Sequence, residues 1–395
     1  MTNSLSAQAK GLSPSRRSQI HSFIAMDMLA AASALERAGR SIIHLEAGEP
    51  GTPAPLRVRE AAAAVIADGR IGYTESLGRP SLRARIARHY EETYGVEINP
   101  NRIAVTTGSS GGFVLSLLAL FVEGARVAVS APGYPAYVNI FKALGIEAVM
   151  IETGAESGYV VTAQMIAAEH QRAKLDGVLL MSPANPSGTM MSDEELRAIC
   201  QTCAQLGIAF ISDEIYHGLT YERDAATALQ FSDQAVIVNS FSKYYCMTGW
   251  RVGWLVLPDV LVAPVEKLQQ NLAISVPFIS QVAAEVAFDC RDELERVKQS
   301  YVRNRAFLLD ALPKMGISTF HRVDGAFYVY ADIGHLTQDS VAFCRTILDE
   351  AGVALTPGLD FDRARGHRML RISFAGSEED MREGIARLSA WLAKR

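Results

Sequence analysis

From residue 102 to residue 257 short apolar runs alternate with longer amphipathic ones, and this alternation limits the fold more than any other feature. Residues 102–107, 126–130, 147–152, 177–182, 208–212, 235–239 and 254–257 read as strands. Between them, residues 107–121, 134–144 and 162–173 read as helices, and the capping box Ser192-x-x-Glu195 opens another. Repeated strand-then-helix order predicts a mostly parallel sheet with helices on both faces. No internal repeat or low-complexity block interrupts it. Ligands of such sheets bind beyond the carboxyl ends of the strands, so the loops there are where chemistry is expected.

The flanks look different. Residues 1–18 are rich in small and polar residues, Ser above all, and predict a flexible arm. Helices are expected over 20–38 and 55–67, and the pattern is helical again from 257 to about 312. Strands are expected over 326–332 and 369–374. These features predict a large domain over 55–290 and a smaller α/β domain built from 19–54 and 291–395. A chain of 395 residues, 49% hydrophobic and 21% charged, has the core for two such units. A net charge of −5 offers no footprint for nucleic acid or an anionic membrane. The longest apolar run, residues 113–122, stops at Glu123, short of a bilayer span. After Ser15-Arg16-Arg17-Ser18, His21 and Asp27 interrupt what could pass for a secretory signal. The five cysteines have no framework spacing, and Cys200-x-x-Cys203 has no second pair for zinc, so a reduced cytoplasmic protein is expected.

The strand-end loops carry the reactive residues. Thr107-Gly-Ser-Ser-Gly-Gly-Phe113 joins a strand to a helix, where free N–H groups and a positive dipole end suit an anion. It is neither G-x-G-x-x-G nor a P-loop, and neither occurs elsewhere. Ala131-Pro-Gly-Tyr-Pro-Ala-Tyr137, Ser182-Pro-Ala-Asn-Pro-Ser-Gly-Thr189 and Ser212-Asp-Glu-Ile-Tyr-His217 leave three more strand ends. Singly these are ordinary turns, a packing tyrosine and an acidic helix cap. Ser240-Phe-Ser-Lys243, continued by Gly249-Trp-Arg-Val-Gly253, sets a lysine between two buried strands. Desolvation lowers a lysine's pKa, and the neutral amine is the form that makes Schiff bases. An isolated loop lysine would be read as solvated.

Taken in order, these motifs resemble the class I/II aminotransferases, fold type I enzymes that use pyridoxal 5′-phosphate. The likeness runs from about Glu46 to about Ala375. It implies a large domain with a mostly parallel seven-stranded sheet flanked by helices, plus a smaller α/β domain from both chain ends. It implies that Lys243 carries the cofactor covalently and, once displaced by substrate, acts as the base. Asp213 would face the ring nitrogen, Asn185 and Tyr216 would share the phenolic oxygen, and Tyr134 would stack on the ring. Ser109, Ser110, Gly111, Ser240 and Arg251 would hold the phosphate. Tyr73 would reach the phosphate of the other subunit, making a homodimer with shared sites. Arg371, in Leu370-Arg-Ile-Ser-Phe-Ala375, would grip the substrate α-carboxylate at two points, helped by Gly48 and Asn185. No metal is implied.

The implied activity is transfer of an amino group from an L-amino acid to a 2-oxo acid such as 2-oxoglutarate. The pattern looks nearest to bacterial aspartate aminotransferases. It departs from them in Gly48-Glu-Pro-Gly-Thr-Pro53, where that branch more usually has G-E-P-D-F-x-T-P, and in Ser110, where some members carry lysine. Aspartate or broad-specificity donors are expected first, then aromatic ones or alanine. Arg79 and Lys142 are the candidates for a second carboxylate. A lyase of the same fold, such as a C–S β-lyase, would keep nearly the same residues. A non-catalytic regulator of this fold is not expected, since fewer than 50 residues precede Gly48 and no basic patch accompanies them. His217 is assigned no role.

Overall fold

The computed structural model describes residues 12–395; residues 1–11 of the expected arm lie outside them. Helix α1 (Ile24–Arg37) starts later than the pattern predicts. Its first N–H groups, of Ile24 and Ala25, donate to the Asp360 carboxylate at 3.0 and 3.1 Å. A cap from a distant residue thus sets the start that local periodicity put at residue 20. Strand β1 (Ile43–His44) and helices α2 (Leu56–Asp68) and α3 (Pro80–Tyr94) follow. The sequence reading missed α3, although proline at its first position and Gly95 in the left-handed region at its end mark both limits.

Strands β2 (Ile103–Thr106), β3 (Arg126–Ala131), β4 (Glu147–Glu152), β5 (Gly177–Met181), β6 (Ala209–Asp213), β7 (Val236–Ser240) and β8 (Gly253–Val256) form one sheet. Their order is β2-β8-β7-β6-β5-β3-β4. All pairings are parallel except those of β8, which runs antiparallel to both neighbours. Helices α4 (Gly108–Leu120), α5 (Pro135–Leu144), α6 (Ala163–Arg172) and α7 (Asp193–Leu206) intervene; α8 (Asp259–Leu272), α9 (Phe278–Ala287) and α10 (Arg291–Lys314) follow. Every residue of β5 and β7 is buried, as required of strands covered on both faces. Along β5, Val178 and Leu180 enter one apolar core while Leu179 and Met181 enter the other, so the sheet divides two cores.

The remainder joins the two ends of the chain. Strand β9 (Tyr328–Asp332), helix α11 (Ser340–Ala351), strands β10 (Val353–Ala354), β11 (Thr356–Pro357) and β12 (Met369–Ser373) and helix α12 (Glu378–Leu392) complete the fold. β1 pairs in parallel with β10, and β11, β12 and β9 form an antiparallel sheet. β9 begins at Tyr328, not at 326, because Ala326 has φ 57°, outside extended geometry. No helix among the described residues is long and apolar enough to cross a membrane.

Candidate active site

Strands β2, β3, β5, β6 and β7 all run the same way, so the reactive loops emerge along one edge of the sheet. β8 runs back, which brings its first residue, Gly253, and the preceding Arg251 to that edge. The pairing of Ser240 with Gly253 closes the loop that holds Lys243.

Lys243 is half-buried, and its Nζ donates to the Gly48 carbonyl at 2.6 Å. Burial, and then the nearby Arg371 guanidinium, push its amine down to about 8. Nζ lies 5.9 Å from the centre of the Tyr216 ring. Asp213, at the end of β6, is fully buried; among the described residues no cation contacts its carboxylate, and Lys243 acts on it only as a weaker, more distant charge. Its carboxylate accepts from the Tyr137 hydroxyl and from the Ile215 N–H. Burial outweighs these bonds and pushes its carboxyl up to about 7. Tyr134 sits at the start of α5, edge-on to Phe23 at 5.9 Å and to Tyr137 at 5.3 Å.

Ser109, Ser110 and Gly111 fall in the first turn of α4, whose N-terminus has no side-chain cap and no acid. A Cβ on Gly108 would come 2.5 Å from Nη2 of Arg251, so only glycine lets that guanidinium lie against the helix start. Arg251 itself has φ 52°, a conformation most side chains avoid. A Cβ on Gly253 would come 3.0 Å from the Ser109 nitrogen. The Ser240 hydroxyl lies 2.9 Å from that of Ser242.

Arg371 is buried, projecting from β12 towards the same edge. Nη1 donates to Asn185 Oδ1 at 3.0 Å, and Nη2 donates to the Glu46 carbonyl at 2.6 Å and the Thr356 hydroxyl at 3.1 Å. A guanidinium can only donate, so the Asn185 carbonyl must face it, leaving the amide N–H₂ free for another acceptor. Nε is buried with no acceptor among the described residues. The rings of Tyr328 and Phe361 lie 4.3 and 4.8 Å from the guanidinium carbon. A Cβ on Gly48 would come 2.9 Å from the Tyr328 hydroxyl, so that backbone must stay bare. Tyr73 differs from these buried groups: it is 81% exposed.

Several contributors escaped sequence reasoning. Tyr137 bonds Asp213, and Tyr328 bonds the Tyr216 hydroxyl at 2.8 Å. Phe361 and the Glu46 carbonyl complete the seat of Arg371. Tyr137, three positions after Tyr134 on the same helical face, had a legible signal; Tyr328, in a strand buried up to its last residue, had none. Arg79 pairs with Glu285 at 3.4 Å and lies over Phe278, turned towards α9. Lys142 is exposed eight residues along α5 from Tyr134, about 12 Å at the helical rise. Neither expected second cation joins the site.

The arrangement fits pyridoxal phosphate on independent grounds. An uncapped helix start beside an arginine suits a phosphate dianion. A buried carboxylate without a counter-ion suits a protonated ring nitrogen. A desolvated lysine suits covalent capture of an aldehyde, and the unpartnered Nε of Arg371 suits a carboxylate.

Comparison with known proteins agrees with this. Residues 40–388 match the family model "Aminotransferase class I and II". The chain is 46% identical over 380 residues to a valine–pyruvate aminotransferase of Mycobacterium tuberculosis, covering 95% of this chain and 97% of the relative. It is 31% identical to an aspartate aminotransferase of Thermotoga maritima, covering 94% and 96%. The crystal structure of an aminotransferase from Mycobacterium tuberculosis superposes with a TM-score of 0.95 at 45% identity, covering 98% of this chain and all of that one. The aspartate aminotransferase of Thermus thermophilus with maleate gives 0.90 at 30% identity, covering 96% and 100%. The chain thus belongs to the class I and II aminotransferases, pyridoxal-phosphate-dependent transaminases of fold type I.

Proposed function

We propose that this transaminase exchanges the amino group of an L-amino acid with a neutral, apolar side chain for the oxygen of a small neutral 2-oxo acid such as pyruvate. One observation carries the reading. The rings of Tyr328 and Phe361 lie against Arg371, Tyr134 is near enough to feel its charge and meets Phe23 edge-on, and the candidate second cations are elsewhere: Arg79 is paired with Glu285 and Lys142 is exposed. Donor and acceptor use the same seat in turn, so a seat to which the described residues of this chain bring no second cation disfavours aspartate and 2-oxoglutarate alike. The relative named a valine–pyruvate aminotransferase supports the same pair. This reorders the donors expected from sequence, where aspartate stood first.

Lys243, Asp213, Asn185, Tyr216, Tyr134, Ser109, Ser110, Gly111, Ser240 and Arg251 hold the cofactor in this reading. Pyridoxal phosphate, when bound, supplies an aldehyde carbon for amine exchange and a ring that draws electrons from the substrate Cα. The neutral Lys243 amine removes the proton from that Cα. Asp213, ionised, keeps the ring nitrogen protonated. The Asn185 amide and the Tyr216 hydroxyl donate to the phenolic oxygen. Arg371, with the Gly48 N–H, orients the α-carboxylate; its flanking rings keep water out. The buried cysteines suit a reducing, cytoplasmic setting.

Single-turnover spectra of the holoenzyme test the donor. Valine and alanine are expected to bleach the bound cofactor at least about tenfold faster than aspartate, roughly the discrimination one unpaired buried carboxylate brings. Aspartate reacting as fast as valine would overturn the reading.

A homodimer is part of the proposal. Ile71, Tyr73, Leu272 and Ile274 are exposed, and the Thr74 N–H bonds the Ser275 hydroxyl at 3.3 Å, so the four form one apolar band. A second copy seated there would receive Tyr73 at its phosphate. Mixing Tyr73→Ala with Lys243→Ala protein under subunit exchange should restore about a quarter of wild-type activity, since half the dimers then carry one intact site. Verified heterodimers without recovery would remove the shared site.

A further inference from the structure

His217 carries no role in the proposed chemistry, yet it is buried on the segment that supplies Asp213 and Tyr216. Its Nε2 lies 3.1 Å from the Ser182 carbonyl, and its Nδ1 lies 2.8 Å from the Tyr94 hydroxyl. A carbonyl can only accept, so Nε2 bears the hydrogen and Nδ1 accepts from Tyr94. Burial pushes the imidazole down to about 3, so one neutral tautomer persists at working pH. Two other titratable groups face it. The Glu214 Oε2 stands 3.6 Å from Nδ1 with no donor of its own, and His89 adds a weak opposing charge when protonated. Burial holds the Glu214 carboxyl up at about 8, so it is largely neutral at working pH.

Ser182 begins the turn that presents Asn185. Its N–H donates to the Asp213 carbonyl at 3.1 Å, and its hydroxyl accepts from the Met191 N–H at 3.0 Å. Its own carbonyl is the remaining handle, and His217 takes it. The His217 N–H in turn donates to the Glu214 carbonyl at 3.0 Å, which folds the 214–217 loop back on itself. The segment that carries Tyr216 therefore grips the turn that carries Asn185.

We infer that His217, held in one tautomer by Tyr94, is a positioning residue that fixes the distance between Asn185 and Tyr216, the two donors to the cofactor's phenolic oxygen. The inference rests on the role proposed above for Asn185. A hydrogen bond from Asn185 stabilises the anionic form of that oxygen. Loosening the turn weakens the bond, and the bound cofactor then keeps its proton to higher pH.

The test is a pH titration of the visible absorbance of bound cofactor in wild type, Asn185→Ala, His217→Leu, His217→Gln and Tyr94→Phe. His217→Leu is expected to raise the midpoint by about half to one pH unit, in the direction of Asn185→Ala and by less, the scale of one hydrogen bond. It should lower kcat about tenfold with little change in KM. His217→Gln, which can put an N–H where Nε2 stood, should recover most of both. Tyr94→Phe should give a smaller upward shift and serves should the leucine variant fold poorly. A midpoint unmoved in both His217→Leu and Tyr94→Phe, while Asn185→Ala moves it, overturns the inference. So does a loss of melting temperature in the cofactor-free His217→Leu protein without any spectral shift. If Asn185→Ala itself leaves the midpoint unmoved, the underlying role of Asn185 fails instead.

Discussion

Lys243→Ala is expected to lose transamination by about 10⁴-fold or more, because it removes both the covalent attachment and the base. The fold should survive, since among the described residues Nζ makes one hydrogen bond, to the Gly48 carbonyl. Borohydride reduction followed by peptide mapping reads the result directly. Wild type should carry a phosphopyridoxyl mark on residue 243, and the variant none. A mark on another lysine, or activity within tenfold of wild type, contradicts the assignment. The amine also sets a pH dependence in cofactor-free protein. Only the neutral amine attacks an aldehyde, and Lys243 is held down at about 8. Capture should therefore quicken with pH up to about 8 and level off above it. An ordinary exposed lysine would keep quickening towards 10.

The second large effect is expected at Asp213. Asp213→Asn keeps the shape and an acceptor for Tyr137, but loses the negative charge that holds the ring nitrogen protonated. We expect kcat to fall about 10³-fold, the usual scale for one preorganised electrostatic group, with cofactor retained. Turnover within a few-fold of wild type would remove the role. A stability measurement separates charge from packing. Asp213 is raised from 3.8 to about 7 in the folded cofactor-free protein, so the folded carboxyl keeps a proton that the unfolded one has released. Stability should then fall as pH rises from about 4 to about 7 and stay lower above it. Glu214, raised to about 8, adds a decline of its own, so Asp213→Asn should show a smaller loss between about 4 and 7 than wild type, and cofactor binding should remove that same difference.

Sequence exposed the groups proposed to hold the cofactor because most of them sit at or just past a strand end. The strands announce themselves by apolar runs, and Lys243, Asp213 and Asn185 follow at short fixed distances. The substrate side was less open. Arg371 stood out by its motif, but its seat did not. Tyr328 comes near because β12 pairs with β9, and the Glu46 carbonyl because Leu45 accepts from the Ser373 N–H at 2.7 Å. Such contacts between distant segments leave no periodic trace. The same holds for the start of α1, decided by Asp360, and for Arg79, a candidate for a second carboxylate that pairs instead with Glu285 of α9. His217 drew no role from sequence because its partners, Tyr94 and Ser182, come from other elements.

The central sheet takes all its strands from residues 103–256, whereas Arg371 needs Glu46 from one end of the chain and β9 from near the other. During synthesis every strand of that sheet, with Lys243 and Arg251, leaves the ribosome well before Arg371 is made. In the proposed reading, a nascent chain can thus gather the groups assigned to the vitamin-derived cofactor while still unable to seat an amino acid. Ribosome-bound chains stalled shortly after α10 should accept the borohydride-fixed mark yet leave added amino acid untouched.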